Sequence, residues 1–304
     1  MKQIKIPIEQ FIAEVCAGKI NETPISYRSK LKRFESWMNQ KHYQFCDLSI
    51  RRMDEFIQTM QCQRLSPFTI HTTMMTVRHF LKWAYQTNRL KLNFEAMKIP
   101  HMPRPEPKAI EAQSALDLLK AASRTGEQWE RARNLALLYV LRDTGGRIGA
   151  IIHADIDQLD LKRGKLFVRE KGNQPHFLYL NPPTIAALCE WLKYRPQLRP
   201  KDKKLFLSQF GRGLKRNSIY SLITRIKRNA EPIQGRCNPH AYRHAWARDA
   251  LTAGEDISKV ARTLGNSVRV TAEYYALWND REVQEAHARY SPGRNLPIIK
   301  PQED

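Results

Sequence analysis

A chain of 304 residues with 42% hydrophobic and 27% charged side chains is balanced like a globular protein and is long enough for two ordinary cores. Its 51 Lys and Arg against 30 Asp and Glu leave a net charge of +21, which repels itself unless a polyanion offsets it, so nucleic acid is the leading partner. A membrane protein and a disulfide scaffold are both disfavoured: no apolar run reaches about 18 residues, and the five cysteines, Cys16, Cys46, Cys62, Cys189 and Cys237, are odd in number and far apart.

The cysteines are expected to be reduced and mostly buried. Met1 to Gln10 lacks the apolar core of a signal peptide, so a cytoplasmic protein of bacterial-type cytosol or nucleoid is expected. There is no zinc-like His/Cys cluster, no Gly-Lys-Ser/Thr phosphate loop and no Gly-x-Gly-x-x-Gly turn, so neither a metal nor a cofactor is expected.

Residues 1–99 read as four helices. Pro7 to Ala17 is a short amphipathic candidate. Ser26 is placed to cap a second helix whose apolar face is Tyr27, Leu31, Phe34 and Met38. Ser49 to Met60 is the third. Ser66-Pro67 opens the fourth, with Ile70, Met74, Val77, Leu81 and Ala84 along one side. Four prolines at 100, 103, 105 and 107 make residues 100–108 a semi-rigid linker.

A second domain, 109–290, opens with helices at Gln113 to Ser123 and Glu127 to Arg142, the latter stopping at Gly145-Gly146. Lys165 to Arg169 and His176 to Leu180 then form a hairpin turning at Lys171-Gly172-Asn173. Helical patterns return after Pro182 and run to about Ala288, with loops at Arg195 to Lys204, Gln209 to Gly213 and Gln234 to Asn238. Residues 291–304 read as a tail. The expected fold class is mainly α with a small antiparallel β-sheet, as an N-terminal helical bundle followed by an α+β domain.

The densest polar constellation is His240-Ala241-Tyr242-Arg243-His244, at the start of an expected helix. His240 and Arg243 share a face, and His244 is turned about 100° from Arg243. Imidazole beside guanidinium suits a phosphate: Arg donates parallel hydrogen bonds and His exchanges a proton near neutrality. Taken singly, each candidate also has an ordinary reading. His240 could cap its helix, Arg147 could sit in a salt bridge, Lys171 could be a solvated turn lysine, and Tyr274-Tyr275 could be core aromatics.

The order and spacing of these residues resemble the tyrosine recombinase, or phage integrase, family over nearly the whole chain. Thr144-Gly145-Gly146-Arg147-Ile148, continued by Asp155-Ile156-Asp157, is similar to the segment with the first catalytic arginine. Lys171-Gly172-Asn173 resembles the hairpin that carries the catalytic lysine. His240 to His244 matches the His-x-x-Arg-His box, the most specific of the motifs. Leu264-Gly265-Asn266-Ser267 resembles the Leu-Gly-His-Ser box, and counting nine from Asn266 reaches the nucleophile, Tyr275. The first hundred residues, chiefly Ser66-Pro67 through Ala84, resemble the SAM-like core-binding domain, which in the family clamps a duplex together with the catalytic domain.

The resemblance implies a catalytic set of Arg147, Lys171, His240, Arg243, Asn266 and Tyr275. Tyr275 would attack the scissile phosphorus while His240 takes its proton. Arg147 and Arg243 would hold the non-bridging oxygens, Asn266 adding a neutral hydrogen bond, and Lys171 would protonate the departing 5′-oxygen. Double-stranded DNA would be the partner, with a homo-tetramer assembled on two sites, a monomer as the free form, and the helix Asp280 to Ala288 exchanged between neighbours.

The segment Lys193 to Arg228 carries twelve Lys or Arg and one acid, Asp202, which makes Arg212, Lys215, Arg216 and Arg225 candidates for DNA contact. Two positions depart from the family pattern. Asn266 stands where most relatives have His, and Ala150 stands where many place the Glu or Asp that orients the first arginine, leaving Asp155 as a candidate substitute. These departures keep a catalytically inactive DNA-binding relative open as an alternative, beside type IB topoisomerase-like strand relaxation.

Overall fold

The computed structural model describes residues 6–17, 22–102, 108–170, 174–230, 232–233, 235–275, 284, 287–289 and 291. The chain forms two compact units, Met1–Pro105 and Glu106–Asp304, and each has its own apolar core.

The first unit is built on α1 (Ile8–Val15), α2 (Glu22–Gln40), α3 (Ile50–Cys62) and α4 (Pro67–Gln86). Ser49 and Ser66 cap α3 and α4 by accepting from the backbone N–H of Arg52 and Thr69. The helix expected to start after Ser26 begins instead at Glu22. Pro24 sits in its first turn, where the missing N–H has no intrahelical partner to lose, so proline opens this helix and Ser26 lies inside it. Phe11, Leu31, Phe34, Met38, Met53, Phe56, Met74, Val77, Phe80 and Leu81 are essentially inaccessible, each burial contributing about 1.5–3 kcal/mol.

The second unit continues with α5 (Ala112–Ala122), α6 (Gln128–Thr144), α7 (Ile148–His153), a sheet, α8 (Pro182–Tyr194), α9 (Arg216–Arg228), α10 (Pro239–Thr252), α11 (Ile257–Leu264) and α12 (Val268–Tyr275). Helix α6 packs on α5, α8 and α10. Buried residues therefore appear on several of its sides, as a central helix requires. The same holds for α10, where Ala241, Tyr242, Arg243, Ala245, Ala247 and Leu251 are all buried. The His-x-x-Arg-His segment thus lies on an interior helix.

The sheet has three antiparallel strands in the order β1 (Leu159–Asp160), β2 (Lys165–Arg169), β3 (Pro175–Tyr179). Leu166 pairs with Leu178, and both face the core with Val168. Strand β1 was not foreseen, because two residues are too few to display an alternation. Strand β3 starts at Pro175, which an edge strand tolerates because its outer N–H groups have no ladder partner.

The cysteines depart from expectation. Cys16 is buried, but Cys46, Cys62 and Cys189 are exposed: Cys62 and Cys189 lie on helices α3 and α8, whose other faces carry the core, and Cys46 lies in a short turn with no buried residue. No described helix is long and apolar enough to cross a membrane. The turn Lys171 to Asn173, residues 103–107 of the linker and most of Asp280 to Asp304 lie outside the described residues.

Candidate active site

Helix α6 ends at Gly145, whose left-handed backbone (φ +59°) turns the chain sharply into Arg147. A Cβ on Gly145 would lie 3.0 Å from the Trp246 side chain on α10 and 3.0 Å from Leu264 on α11, so glycine is needed for packing as well as for φ. Helix α10 is held to α6 by Arg142 on Asp249 (2.6 Å) and by the Trp246 indole N–H donating to the Asp143 carbonyl (2.8 Å). The hairpin is tied to α11 by a 2.9 Å bond between His176 Nε2 and the Thr263 carbonyl.

These constraints bring four separate segments to one place. Arg243 is buried and its guanidinium donates to the carbonyls of Gly145 (3.1 Å) and Leu264 (2.5 Å) and to Asn266 Oδ1 (2.9 Å). Arg147 Nη2 donates to the same Asn266 oxygen at 2.6 Å, and both its terminal nitrogens reach the Gly265 carbonyl at 3.2–3.3 Å. One amide oxygen therefore accepts from both arginines. This settles the amide's orientation, because the NH2 group could not face two guanidiniums. Burial first, and the neighbouring Arg147 second, lower the Arg243 pKa to about 10, which leaves it charged at neutral pH.

A cleft beside the arginines is lined by Gly146, Arg147, Ile148, Pro239, His240 and Arg243. His240 is solvent-accessible there. Partial burial, together with Arg216, Arg243 and Arg147, pushes its pKa below the ordinary histidine value. The tyrosine hydroxyl meets the other histidine of the segment: Tyr275 Oη lies 2.7 Å from Nδ1 of His244. The imidazole meeting the nucleophile candidate is thus a residue that sequence reasoning left outside the catalytic set. The signal for it was present, because His244 follows Arg243 and is turned around the helix toward α12. Burial, then His240 and Arg243, lower the His244 pKa, so its neutral, proton-accepting form prevails at pH 7. Burial raises the Tyr275 pKa, while Arg243 and, more weakly, Arg147 oppose that shift. The Tyr275 ring packs against the small cluster of Ala247, Leu251, Val260 and Leu264, whereas Tyr274 is 44% exposed.

The carboxylate on Arg147 comes from a position that sequence reasoning missed. Asp155 does not serve, since its side chain is bound to Lys204 Nζ at 2.7 Å. Glu170, one residue beyond β2, pairs with Arg147 Nη1 instead. Lys171 lies outside the described residues, so the structure places only its neighbour. Among the DNA-contact candidates, Arg212 and Lys215 are exposed and Arg216 opens α9 close enough to act on His240. Arg225 is held by Glu130 at 2.7 Å and is thereby given a partner within the fold. Among the described residues no three His, Cys, Asp or Glu side chains gather as metal ligands would.

The family model described as the phage integrase family matches residues 108–281, and that of the phage integrase N-terminal SAM-like domain matches residues 8–88. The chain is 26% identical over 281 residues to the tyrosine recombinase XerC of Treponema denticola, covering 88% of this chain and 92% of that protein. It is 26% identical over 295 residues to XerD of Staphylococcus epidermidis, covering 94% and 98%. Among solved structures, a XerH site-specific recombinase bound to a palindromic difH substrate superposes with a TM-score of 0.73 at 19% identity, over 92% of this chain and 83% of that one. The Tn1549 transposon integrase with circular intermediate DNA gives 0.72 at 17% identity, over 94% and 100%. At those identities the structural likeness is one of fold.

Proposed function

The chain belongs to the phage integrase family and is a tyrosine site-specific recombinase, and from that premise we propose that it cuts and rejoins double-stranded DNA through a 3′-phosphotyrosyl link made by Tyr275. The observation that carries this reading is the convergence of Arg147, Arg243, Asn266, His240 and the His244–Tyr275 pair from four segments distant in sequence. Two guanidiniums beside one cleft are placed to hold the non-bridging oxygens and to stabilise the charge of a pentacoordinate phosphorus. As the Tyr275 oxygen bonds to phosphorus, the P–O5′ bond breaks and the phenolic proton passes to His244, the imidazole already in contact with it. His240, in the cleft with the arginines, faces the phosphate side. In this proposal Lys171 supplies the proton to the departing 5′-oxygen. A 5′-hydroxyl from a second duplex reverses the step, so no nucleotide is consumed.

The biological setting belongs to the same proposal: integration, excision or resolution of DNA for a mobile element, by a tetramer on two sites in the cytoplasm. The basic stretch with Arg212, Lys215 and Arg216 tracks the backbone. The test is incubation with duplexes carrying a randomised site and a nick. A covalent adduct mapped to Tyr275 supports the reading, and tight binding without an adduct favours a DNA-binding relative that lacks catalysis. Joining of two duplexes distinguishes recombination from strand relaxation.

Two further outcomes are expected on such a substrate. With His244→Gln the cleavage rate falls on the order of 10²-fold, the usual scale of general-base catalysis. In the wild type the rate should rise as pH passes up through the lowered His244 pKa and then level off, because only neutral imidazole accepts the proton. A full rate in the variant would assign the proton to another group. In Asn266→Asp, a carboxylate shared by both arginines forms stronger charge-assisted bonds, adds negative charge beside the phosphate and removes the amide donor. That variant should melt at the wild-type temperature or above it, and cleave about 10²-fold more slowly. Cleavage at the wild-type rate would show that the neutral amide is dispensable.

A further inference from the structure

Glu170 has an arrangement that fold stability alone does not explain. Its side chain is 5% exposed, one carboxylate oxygen accepts from Arg147 Nη1, and the other, Oε1, is buried with no hydrogen-bond partner among the described residues. A buried carboxylate with an unsatisfied oxygen is unfavourable, and such a group calls for another explanation. The backbone holds it in place, since the Glu170 N–H donates to the Gln174 carbonyl and closes the hairpin at 2.9 Å. Gly265, at φ +60°, makes room for the pair: a Cβ there would sit 3.3 Å from Arg147 Nη1 and 3.5 Å from Glu170 Cγ.

The arginine's donors show what the carboxylate does. Arg147 Nη1 is shared between Glu170 and the Gly265 carbonyl, and Nη2 between Gly265 and Asn266, whereas Nε makes no hydrogen bond among the described residues. The donors left for a phosphate are therefore Nε–H and those released from the long Gly265 contacts. The charge-assisted bond to Glu170 is the arm least easily released, so it is the pivot on which the guanidinium is aimed. Neither Ala150, an apolar side chain on α7, nor Asp155, bound to Lys204, provides a carboxylate for that purpose.

We infer that Glu170 is the positioning residue for Arg147, a carboxylate carried on the β-hairpin that sets the angle at which the arginine meets the scissile phosphate; the inference rests on the recombinase reading. Glu170 also opposes the repulsion between Arg147 and the buried Arg243.

The experiment compares wild type with Glu170→Gln, which keeps shape and removes charge, and with Glu170→Ala. The readouts are single-turnover cleavage of nicked duplexes with a randomised site, affinity for the same duplexes, and the rate at which phenylglyoxal modifies Arg147, followed by mass spectrometry. Loss of aim should lower the cleavage rate about 10–100-fold with affinity close to wild type, since a misplacement of about 1 Å costs on the order of 10²-fold. Arg147 modification should accelerate several-fold in the native protein, because the bond to the buried Glu170 carboxylate occupies Nη1 and holds the guanidinium against the protein, and its loss leaves that nitrogen open to the reagent. Unchanged cleavage and unchanged Arg147 reactivity in both variants would overturn the inference. So would a cleavage loss matched by equal losses of affinity and melting temperature, the mark of a purely structural residue. If the wild type itself forms no covalent adduct, the recombinase reading fails, and Arg147 reactivity alone then decides whether Glu170 holds the arginine.

Discussion

Tyr275→Phe should abolish covalent adduct formation, with a fall on the order of 10⁴-fold or more, while DNA affinity and melting temperature stay near wild type. The nucleophilic oxygen is the only atom removed. The ring keeps its packing on Ala247, Leu251, Val260 and Leu264, and the structural loss is one hydrogen bond to His244, worth about 1 kcal/mol. Denaturing gels of protein incubated with nicked duplexes measure the adduct, and gel retardation of the same mixtures measures binding. Tyr274→Phe is the control. Tyr274 is exposed and lies on another side of α12 from the His244 contact, so that variant should form adducts normally. An adduct that survives in Tyr275→Phe and vanishes in Tyr274→Phe would transfer the role to the neighbouring residue.

Arg243→Lys is expected to have the second largest effect, because this arginine has a structural and a chemical part that one ammonium cannot both fulfil. Its guanidinium spans three acceptors, on the turn after α6, the end of α11 and the loop before α12. Lysine presents a compact point charge on a flexible stem and cannot match that planar fork. At least two charge-assisted bonds go unmade in a buried place, costing about 3 kcal/mol, or roughly 6–12 °C of melting temperature for a domain of this size. Cleavage should fall about 10²–10³-fold, the scale of removing one transition-state donor from an enclosed site. Calorimetry and single-turnover kinetics read the two parts separately. Wild-type kinetics in a destabilised variant would leave Arg243 as a strut only.

Much of this was legible from the sequence, and for identifiable reasons. Helices α3 and α4 show in Ser49 and Ser66-Pro67 because capping and proline placement are local chemistry, decided within one turn. The hairpin shows because β2 and β3 each carry an alternation long enough to see. Thin local signals hide the remaining boundaries. The two-residue strand β1 has no period, and the start of α2 is set by Pro24 in its first turn, upstream of the more conspicuous Ser26.

Residue types and spacing by themselves therefore determined the two-part, mainly helical organisation, the net charge of +21 that a polyanion would offset, and the set of arginines, histidines and tyrosines from which a phosphoryl-transfer site could be drawn. Only the tertiary structure decided which of them touch. The partner of Tyr275 is His244, 31 residues away in sequence, and the partner of Arg147 is Glu170, 23 residues away at the end of β2. Asn266 is shared by two arginines that lie 119 and 23 residues from it. Caps and periods are properties of neighbouring peptide units, whereas these contacts depend on how α6, α10, α11 and the sheet pack together. A carboxylate displaced from α7 to a strand end leaves no local trace, because its role exists only after the chain has closed around it.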